Sequence, residues 1–117
     1  MSVDVIGIGA DGTDGLTPEV RARLDAAEVI VGGDRHLGFV GAHDATKIPW
    51  RRPLEATFDE LEPHIDQKVV VLASGDPLDH GVARRLIERY GHDRVAVHPH
   101  PSAFALACAR LGWSRDQ

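Results

Sequence analysis

Short runs of apolar, β-branched residues alternate with stretches of helical pattern along nearly the whole chain. Buried parallel strands have this composition, and the connections between such strands are usually helices. The predicted strands cover residues 3–8, 29–31, 46–48, 68–73 and 94–98. The predicted helices cover residues 17–27, 34–40, 54–65, 78–90 and 102–111. This order predicts an α/β fold, a three-layer αβα sandwich on a mostly parallel sheet of four to five strands.

Length, charge and cysteine content limit the class of protein. The chain has 117 residues, enough for one domain and too few for two ordinary ones. Its formal net charge is −5 and its arginines are scattered, which disfavours nucleic acid as a partner. Cys108 is the single cysteine, which excludes an internal disulfide and favours a reducing compartment. Since neither a membrane span nor a signal peptide is apparent, we expect a cytoplasmic protein with no membrane partner.

The segment LASGDP, which starts at Leu72, indicates a binding site. Asp76 followed by Pro77 is typical of a helix N-cap and first helical residue. Ser74 and Gly75 are small enough to let a ligand approach the backbone. Because open α/β sheets bind ligands at the carboxyl ends of their strands, this edge is the predicted site. A purely structural N-cap is the alternative role for Asp76.

The loop after the first predicted strand matches the dinucleotide-binding pattern G-x-G-x-x-G over residues 7–12. In that fold the third glycine begins a helix whose N-terminus faces a pyrophosphate. Here the helix signal lies five residues beyond Gly12, and Asp11 and Asp14 would repel a pyrophosphate. Asp34 lies near the expected ribose-binding position, so a nucleotide-binding module stays an alternative. Otherwise these glycines only make a turn and permit close packing.

Seven histidines, at positions 36, 43, 64, 80, 92, 98 and 100, raise the question of a metal site. None has the H-E-x-x-H spacing, and Pro99 separates His98 from His100. Cys108 lies among alanines and a leucine of the last predicted helix, where a small buried apolar residue is expected. We therefore predict no metal.

Four motifs occur in this chain in the order in which one family has them. They are GIGADGTDGLT from residue 7, VGGDRHL from residue 31, LASGDPLDHG from residue 72 and PSAFALACARLGW from residue 101. With them the chain resembles the tetrapyrrole (corrin/porphyrin) methyltransferases of cobalamin biosynthesis, most closely those that methylate ring carbon 5 of a precorrin. The resemblance covers nearly the whole chain. It implies a methyltransferase with S-adenosyl-L-methionine as cofactor and a precorrin, a tetrapyrrole, as substrate.

The family's cofactor site, carried over residue by residue, gives seven candidates for contact with S-adenosylmethionine. They are Ala10, Ser74, Gly75, Asp76, Asp79, Ser102 and Ala103. Asp79 departs from the family, whose members usually have an apolar residue there. Arg35, His36 and His80 are candidates for substrate binding, and the guanidinium of Arg35 would pair well with the carboxylates of a tetrapyrrole. A helix start with a surface salt bridge is the alternative role for Arg35 and His36. His80 stands where many relatives have an aromatic residue, so its role is open. No catalytic base is predicted.

Family members have two α/β domains and bind the cofactor between them, so the resemblance implies a first domain here. Residues 1–113 would form it, and residues 114–117 would begin the missing C-terminal domain. The patch near Trp113 that this domain would cover is expected to drive self-association into a homo-oligomer. Two other functions stay open: an NAD(P)- or nucleotide-binding Rossmann module, and a catalytically inactive interaction domain of the same fold.

Overall fold

The computed structural model describes residues 2–9, 12–74 and 82–98. Five strands form one sheet: β1 (Ser2–Ile8), β2 (Val29–Gly32), β3 (Thr46–Pro49), β4 (Lys68–Ser74) and β5 (Val95–His98). Their order is β3-β2-β4-β1-β5, and every neighbouring pair is parallel. β1 and β4 pair along their whole length, from Ser2 opposite Lys68 to Ile8 opposite Ser74. They lie in the interior of the sheet.

Helices cover both faces of the sheet. Those in the described ranges are α1 (Pro18–Asp25), α2 (Asp34–Val40), α3 (Leu54–Leu61) and α4 (Val82–Tyr90), with short 3₁₀ helices at Gly12–Gly15 and Glu62–His64. α1 begins as predicted, because the Thr17 hydroxyl accepts a hydrogen bond from the Val20 N–H at 3.3 Å. The helix predicted over residues 54–65 stops at Leu61 and continues as a 3₁₀ turn, since Pro63 has no N–H to donate.

Alternate residues of the strands pack against different helices. On the first face, Val5, Val71 and their neighbours pack with Phe58 of α3 and Leu86 of α4. On the second face, Ile6, Leu72 and their neighbours pack with Leu24, near the end of α1, and with the partly buried Leu37 of α2. The period of two along each strand separates the two cores.

The predicted fold class is confirmed, with five strands and an entirely parallel sheet. Each of the five predicted strands is present, within two residues of its expected ends. Gly91, at φ +92°, ends α4 as expected. The helix predicted over residues 102–111, and the start of α4 predicted at residue 78, lie outside the described residues.

Candidate functional site

The carboxyl ends of the strands meet at one side of the sheet, because all of the strands are parallel. Ile8 lies opposite Ser74, and Gly32 lies opposite Pro49. Neighbouring strands are about 4.8 Å apart, so the chain leaves β1 and β4 at adjacent points. We call the line of strand ends through Pro49, Gly32, Ser74 and Ile8 the carboxyl edge.

The connections that leave β1 and β4 lead to helices on opposite faces of the sheet. α1, which follows β1, packs on the second face and leads to β2 on one side of the pair. α4, which precedes β5, packs on the first face and leads to the other side. A divergence of this kind opens a crevice outside the carboxyl ends of the strands, and ligands of open α/β sheets bind there. The predicted site at Ser74 therefore lies beside the loop that follows β1.

The loop after β1 leads to Gly12, which packs on α2. The Gly12 N–H donates to the Gly9 carbonyl at 3.0 Å, and Gly12 has a φ of +63°. A Cβ added there would lie 3.0 Å from Cδ1 of Phe39. α1 begins only at Pro18, so Gly12 does not start the helix that a dinucleotide site requires. Gly12 thus has the turn and packing role that we gave as the alternative to nucleotide binding.

Two of the predicted substrate residues, Arg35 and His36, lie in the first turn of α2 and point in different directions. Arg35 is exposed, and its guanidinium carbon lies 5.6 Å from the centroid of the Phe39 ring. His36 is only 8% exposed and packs beside Gly32 of the carboxyl edge. Burial, and to a lesser degree the charge of Arg35, lowers the pKa of His36, so this imidazole is neutral at pH 7.

Trp50 and two arginines follow β3, and we did not expect them at the site from the sequence. The backbone N–H of Trp50 donates to the Gly32 carbonyl at 3.2 Å. The indole ring of Trp50 would lie 3.9 Å from a Cβ added to Gly33. The Arg51 N–H donates to Oγ1 of the buried Thr57 at 2.7 Å, which fixes this loop on α3. An aromatic residue directly before a pair of arginines is the signal that could have identified the segment.

Arg51 and Arg52 differ in what they contact. The Arg51 guanidinium donates to Glu60 of α3 at 3.0 Å, and this contact lowers the pKa of Glu60 and raises that of Arg51. Arg52 is exposed and has no ion pair or side-chain hydrogen bond within residues 2–9, 12–74 and 82–98. Of the two side chains, Arg52 is thus the one available to an anionic ligand.

A charged cluster on the second face of the sheet was also missed. The Asp4 carboxylate, with 10% of its side chain exposed, lies 2.9 Å from Nε2 of His98 and 3.5 Å from the Arg23 guanidinium. A lone carboxylate within the apolar run of β1 was the available signal. Asp4 and Arg23 also line a groove of about 380 Å³, together with Ser2, Glu19, Ala22, Ala26, Lys68 and Val70. Ser2 and Lys68 begin their strands, so this groove lies at the edge opposite to the predicted site.

The structure places the predicted cofactor residues as follows. Ser74 is the last residue of β4, at the carboxyl edge. Ala10, Gly75, Asp76, Asp79, Ser102 and Ala103, together with the substrate candidate His80, lie outside the described residues. Gly9 and Gly33, which follow β1 and β2, have no side chain to block that edge. The small residues there fit a ligand that lies close to the backbone.

Two negative findings apply to the described part of the chain. It contains no cluster of three or more histidine, cysteine, aspartate or glutamate side chains able to hold a metal ion. It also contains no helix with the length and apolar character needed to cross a bilayer.

Curated relatives of the chain are precorrin methyltransferases. The precorrin-6Y C(5,15)-methyltransferase [decarboxylating] of Mycobacterium tuberculosis is 44% identical over 111 residues, which are 94% of this chain and 28% of the relative. The cobalt-precorrin-7 C(5)-methyltransferase of Salmonella typhimurium is 33% identical over 108 residues, 92% of this chain and 54% of the relative. The chain therefore spans about half, or less, of the curated relatives that it matches.

A solved structure and a family model give the same assignment. The crystal structure of the methyltransferase CobJ superimposes with a TM-score of 0.65 at 28% identity, over 99% of this chain and 53% of that protein. The model of the Tetrapyrrole (Corrin/Porphyrin) Methylases matches residues 2–117. The resemblance drawn from the four sequence motifs is confirmed, and the chain belongs to the tetrapyrrole (corrin/porphyrin) methylase family.

Proposed function

We propose that the chain is the first domain of an S-adenosyl-L-methionine-dependent methyltransferase that methylates ring carbon 5 of a precorrin in cobalamin biosynthesis. The observation that carries the proposal is the pairing of Ile8 with Ser74 at the point where the connections of β1 and β4 diverge. The names of the relatives from Mycobacterium tuberculosis and Salmonella typhimurium both specify carbon 5 of a precorrin. The shared motifs and this geometry support the same reaction for a longer protein that contains this chain.

The chemistry suits the residues at the carboxyl edge. When bound, S-adenosylmethionine supplies a methyl group on a sulfonium sulfur to an electron-rich ring carbon. Such a transfer depends mainly on alignment of the reacting atoms, and orientation alone can contribute about 7–11 kcal/mol. The chain would contribute a rigid binding surface, at which the ends of β1 and β4 fix the cofactor in one orientation.

The proposed cofactor contacts are the backbone at Ala10, the Ser74-Gly75-Asp76 segment, Asp79, and the Ser102-Ala103 pair. Ser74 ends β4 next to the loop of Gly9, and Gly75 and Asp76 follow it directly in the chain. A carboxylate at Asp76 would accept hydrogen bonds from cofactor hydroxyl or amino groups. S-adenosylmethionine has no phosphate, so the acidic residues of the first loop would not repel it as they would repel a pyrophosphate.

The rest of the site would come from a second domain. Relatives are longer than this chain, which covers 28% and 54% of the two described above. We propose residues 1–113 as the first domain and residues 114–117 as the start of the second. The isolated chain would bind the cofactor in half of its cleft and self-associate through the surface that the second domain covers.

Amide NMR spectra of the chain, titrated with S-adenosylhomocysteine, test cofactor binding residue by residue. We expect saturable shifts at Gly9, Gly33 and Ser74, and none at Lys68 or Arg94 at the other edge. Asp76→Asn should weaken this binding. Asp66→Asn is the matched control, since Asp66 is exposed in the turn before β4 and makes no ion pair within the described ranges.

Two results would contradict the proposal. One is the absence of any saturable shift at the carboxyl edge in a folded sample. The other is a response at Gly9 to NAD that S-adenosylhomocysteine does not produce, which would favour the nucleotide-binding alternative. Equal affinities in the wild-type and Asp76→Asn chains would remove Asp76 from the site and favour its N-cap role.

A further inference from the structure

One oxygen of the nearly buried Asp4 carboxylate has no partner among the described residues. Nε2 of His98 and the guanidinium of Arg23 both contact the same oxygen, Oδ1. Oδ2 makes no hydrogen bond or ion pair within residues 2–9, 12–74 and 82–98, although only 10% of the Asp4 side chain is exposed. An ionised carboxylate accepts hydrogen bonds on both oxygens, and a buried acceptor without a donor is unfavourable. Oδ2 is therefore a position that a donor group of a ligand would satisfy.

The groove on the second face of the sheet gives a ligand access to this carboxylate. Neighbouring residues of β1 and β4 form its floor, with Asp4 opposite Val70 at the inner end and Ser2 opposite Lys68 at the outer end. Its volume is about 380 Å³, which lies within the range of small-molecule sites. The groove is thus large enough for a ligand that runs along the two strands.

The outer end of the groove carries a positive charge. Lys68 is exposed, and its ammonium group makes no hydrogen bond or ion pair within the described ranges. Lys68 precedes Val70 by two residues, which is about 7 Å along a strand. Because Asp4 is opposite Val70, an acceptor and a cation lie at different ends of one groove.

The lining between these ends is mostly small and apolar. Ala22 lies in α1, Ala26 follows this helix one turn further on, and Val70 lies on the floor. The two charged residues that α1 adds to the lining, Glu19 and Arg23, approach each other at 3.9 Å. The middle of a ligand in this groove therefore contacts apolar surface.

We propose that the groove binds a small zwitterion with an ammonium group and a carboxylate at opposite ends of a short apolar chain, an ω-amino acid. The ammonium group donates to Oδ2 of Asp4, and the carboxylate pairs with Lys68. The methylene chain packs against Ala22, Ala26 and Val70. An α-amino acid fits less well, because one carbon carries both of its charged groups and they cannot reach both ends. The groove lies at the edge opposite to the proposed cofactor site, so this inference does not depend on the proposed function.

Amide NMR spectra of the chain, titrated with 5-aminopentanoate, test the site. We expect saturable shifts at Ala22, Lys68 and Val70, and none at Gly33 or Trp50 of the carboxyl edge. Norvaline is an isomer of this probe that carries both charged groups on one carbon, and it should bind about tenfold more weakly. Pentylamine and pentanoate each lack one of the two charges and should also lose about tenfold in affinity.

Two variants test the lining without removing Asp4. Lys68→Gln should weaken the binding of 5-aminopentanoate about tenfold, since one charge-assisted contact is lost. Ala22→Leu adds a larger side chain at an exposed position of α1, so the fold should persist while binding is abolished. Arg94→Gln is the matched control for Lys68→Gln. Arg94 is an exposed cation directly before β5, at the same edge of the sheet, and is not among the described residues that line the groove.

Three results would overturn the inference. The first is the absence of saturable shifts around the groove in a folded sample. The second is equal affinity for 5-aminopentanoate and norvaline, which would mean that the separation of the charges has no role. The third is equal weakening by Lys68→Gln and Arg94→Gln, which would indicate a general effect of net charge.

Discussion

Nε2 of His98 lies 2.9 Å from Oδ1 of Asp4, across 94 residues of chain. The contact joins β5, at the edge of the sheet, to β1 in its interior, and the Arg23 guanidinium approaches the same oxygen at 3.5 Å from α1. Three elements therefore share one nearly buried carboxylate. Its contacts hold the outer strand β5 to β1 and hold α1 to the same point of the sheet.

Asp4→Ala should lower the free energy of unfolding by about 1–3 kcal/mol, because it leaves His98 and Arg23 without their shared acceptor. Urea unfolding at pH 7 measures the change. Asp14→Ala is the matched control, since the Asp14–Arg21 pair has a distance of 3.8 Å and Asp14 is 90% exposed. Asp14→Ala should lower the free energy of unfolding by less than about 0.5 kcal/mol. An equal loss of unfolding free energy in Asp4→Ala and Asp14→Ala would show that the buried cluster stabilises the fold no more than an exposed ion pair does.

Gly12 and Gly38 should respond to alanine with opposite signs. Gly12→Ala places a Cβ 3.0 Å from the Phe39 ring at a φ of +63°, and should destabilise the fold by about 1–3 kcal/mol. Gly38 lies in α2 with no atom within 4 Å of an added Cβ, so Gly38→Ala should stabilise the fold by about 0.5–1 kcal/mol. Thermal unfolding of both variants checks the signs, and a stable Gly12→Ala protein would contradict the tight-turn geometry.

The Thr57 hydroxyl should control opening of the loop after β3. Thr57→Val preserves the side-chain shape but removes the acceptor for the Arg51 N–H, at a cost of about 1 kcal/mol. Hydrogen exchange of the Arg51 amide should become faster in Thr57→Val and stay slow in Thr57→Ser, which keeps the hydroxyl. Similar exchange rates in the two variants would mean that other contacts fix the loop.

Tyr90 should ionise only at a pH well above that of a free tyrosine. Burial, followed by a 2.7 Å hydrogen bond that its hydroxyl donates to Glu62, raises the pKa of Tyr90 to about 12. The chain has one tyrosine, so absorbance near 295 nm follows this group alone. Glu62→Gln should lower that pKa only in part, because burial is the larger cause. A tyrosinate signal that appears at pH 10 in the folded protein is the contrary result.

The same group makes stability depend on pH. In the unfolded chain Tyr90 ionises near pH 10, whereas the folded chain keeps the proton until about pH 12. Between these values the folded state binds more protons, so the stabilisation is complete below pH 10 and disappears as the pH rises through 12. Urea unfolding at several values between pH 9 and 12 measures the slope, and Tyr90→Phe should make it shallower.

Local signals in the sequence were enough to predict the positions of most of the described helices and strands. Thr17 before Pro18 located the start of α1, and the bounds of α2 agree with the predicted residues 34–40. Propensity and capping act over a few residues, so sequence patterns report them. Strand order is different, because the pairing of Ile6 with Leu72 and with His98 depends on packing between distant parts of the chain.

The candidate site was predictable to a smaller extent. The small residues around Ser74 were proposed from motifs because they let a ligand approach the backbone, and the exposed Arg35 was proposed because a guanidinium pairs with carboxylates. Asp4 was missed since its partner His98 is remote in sequence, and Trp50 was missed since its contact with Gly32 depends on the register of β2 with β3. The predicted cofactor residues are untested and stay predictions.

The position of β1 inside the sheet governs the order in which the chain can assemble during synthesis. β1 leaves the ribosome first, yet both of its neighbours, β4 and β5, come from the second half of the chain. β2 and β3 can pair as soon as residue 49 has been made, whereas β1 must wait unpaired until residue 68 and beyond have been made. Its exposed apolar edge is then a natural target for a chaperone, and slower translation before β4 should increase aggregation.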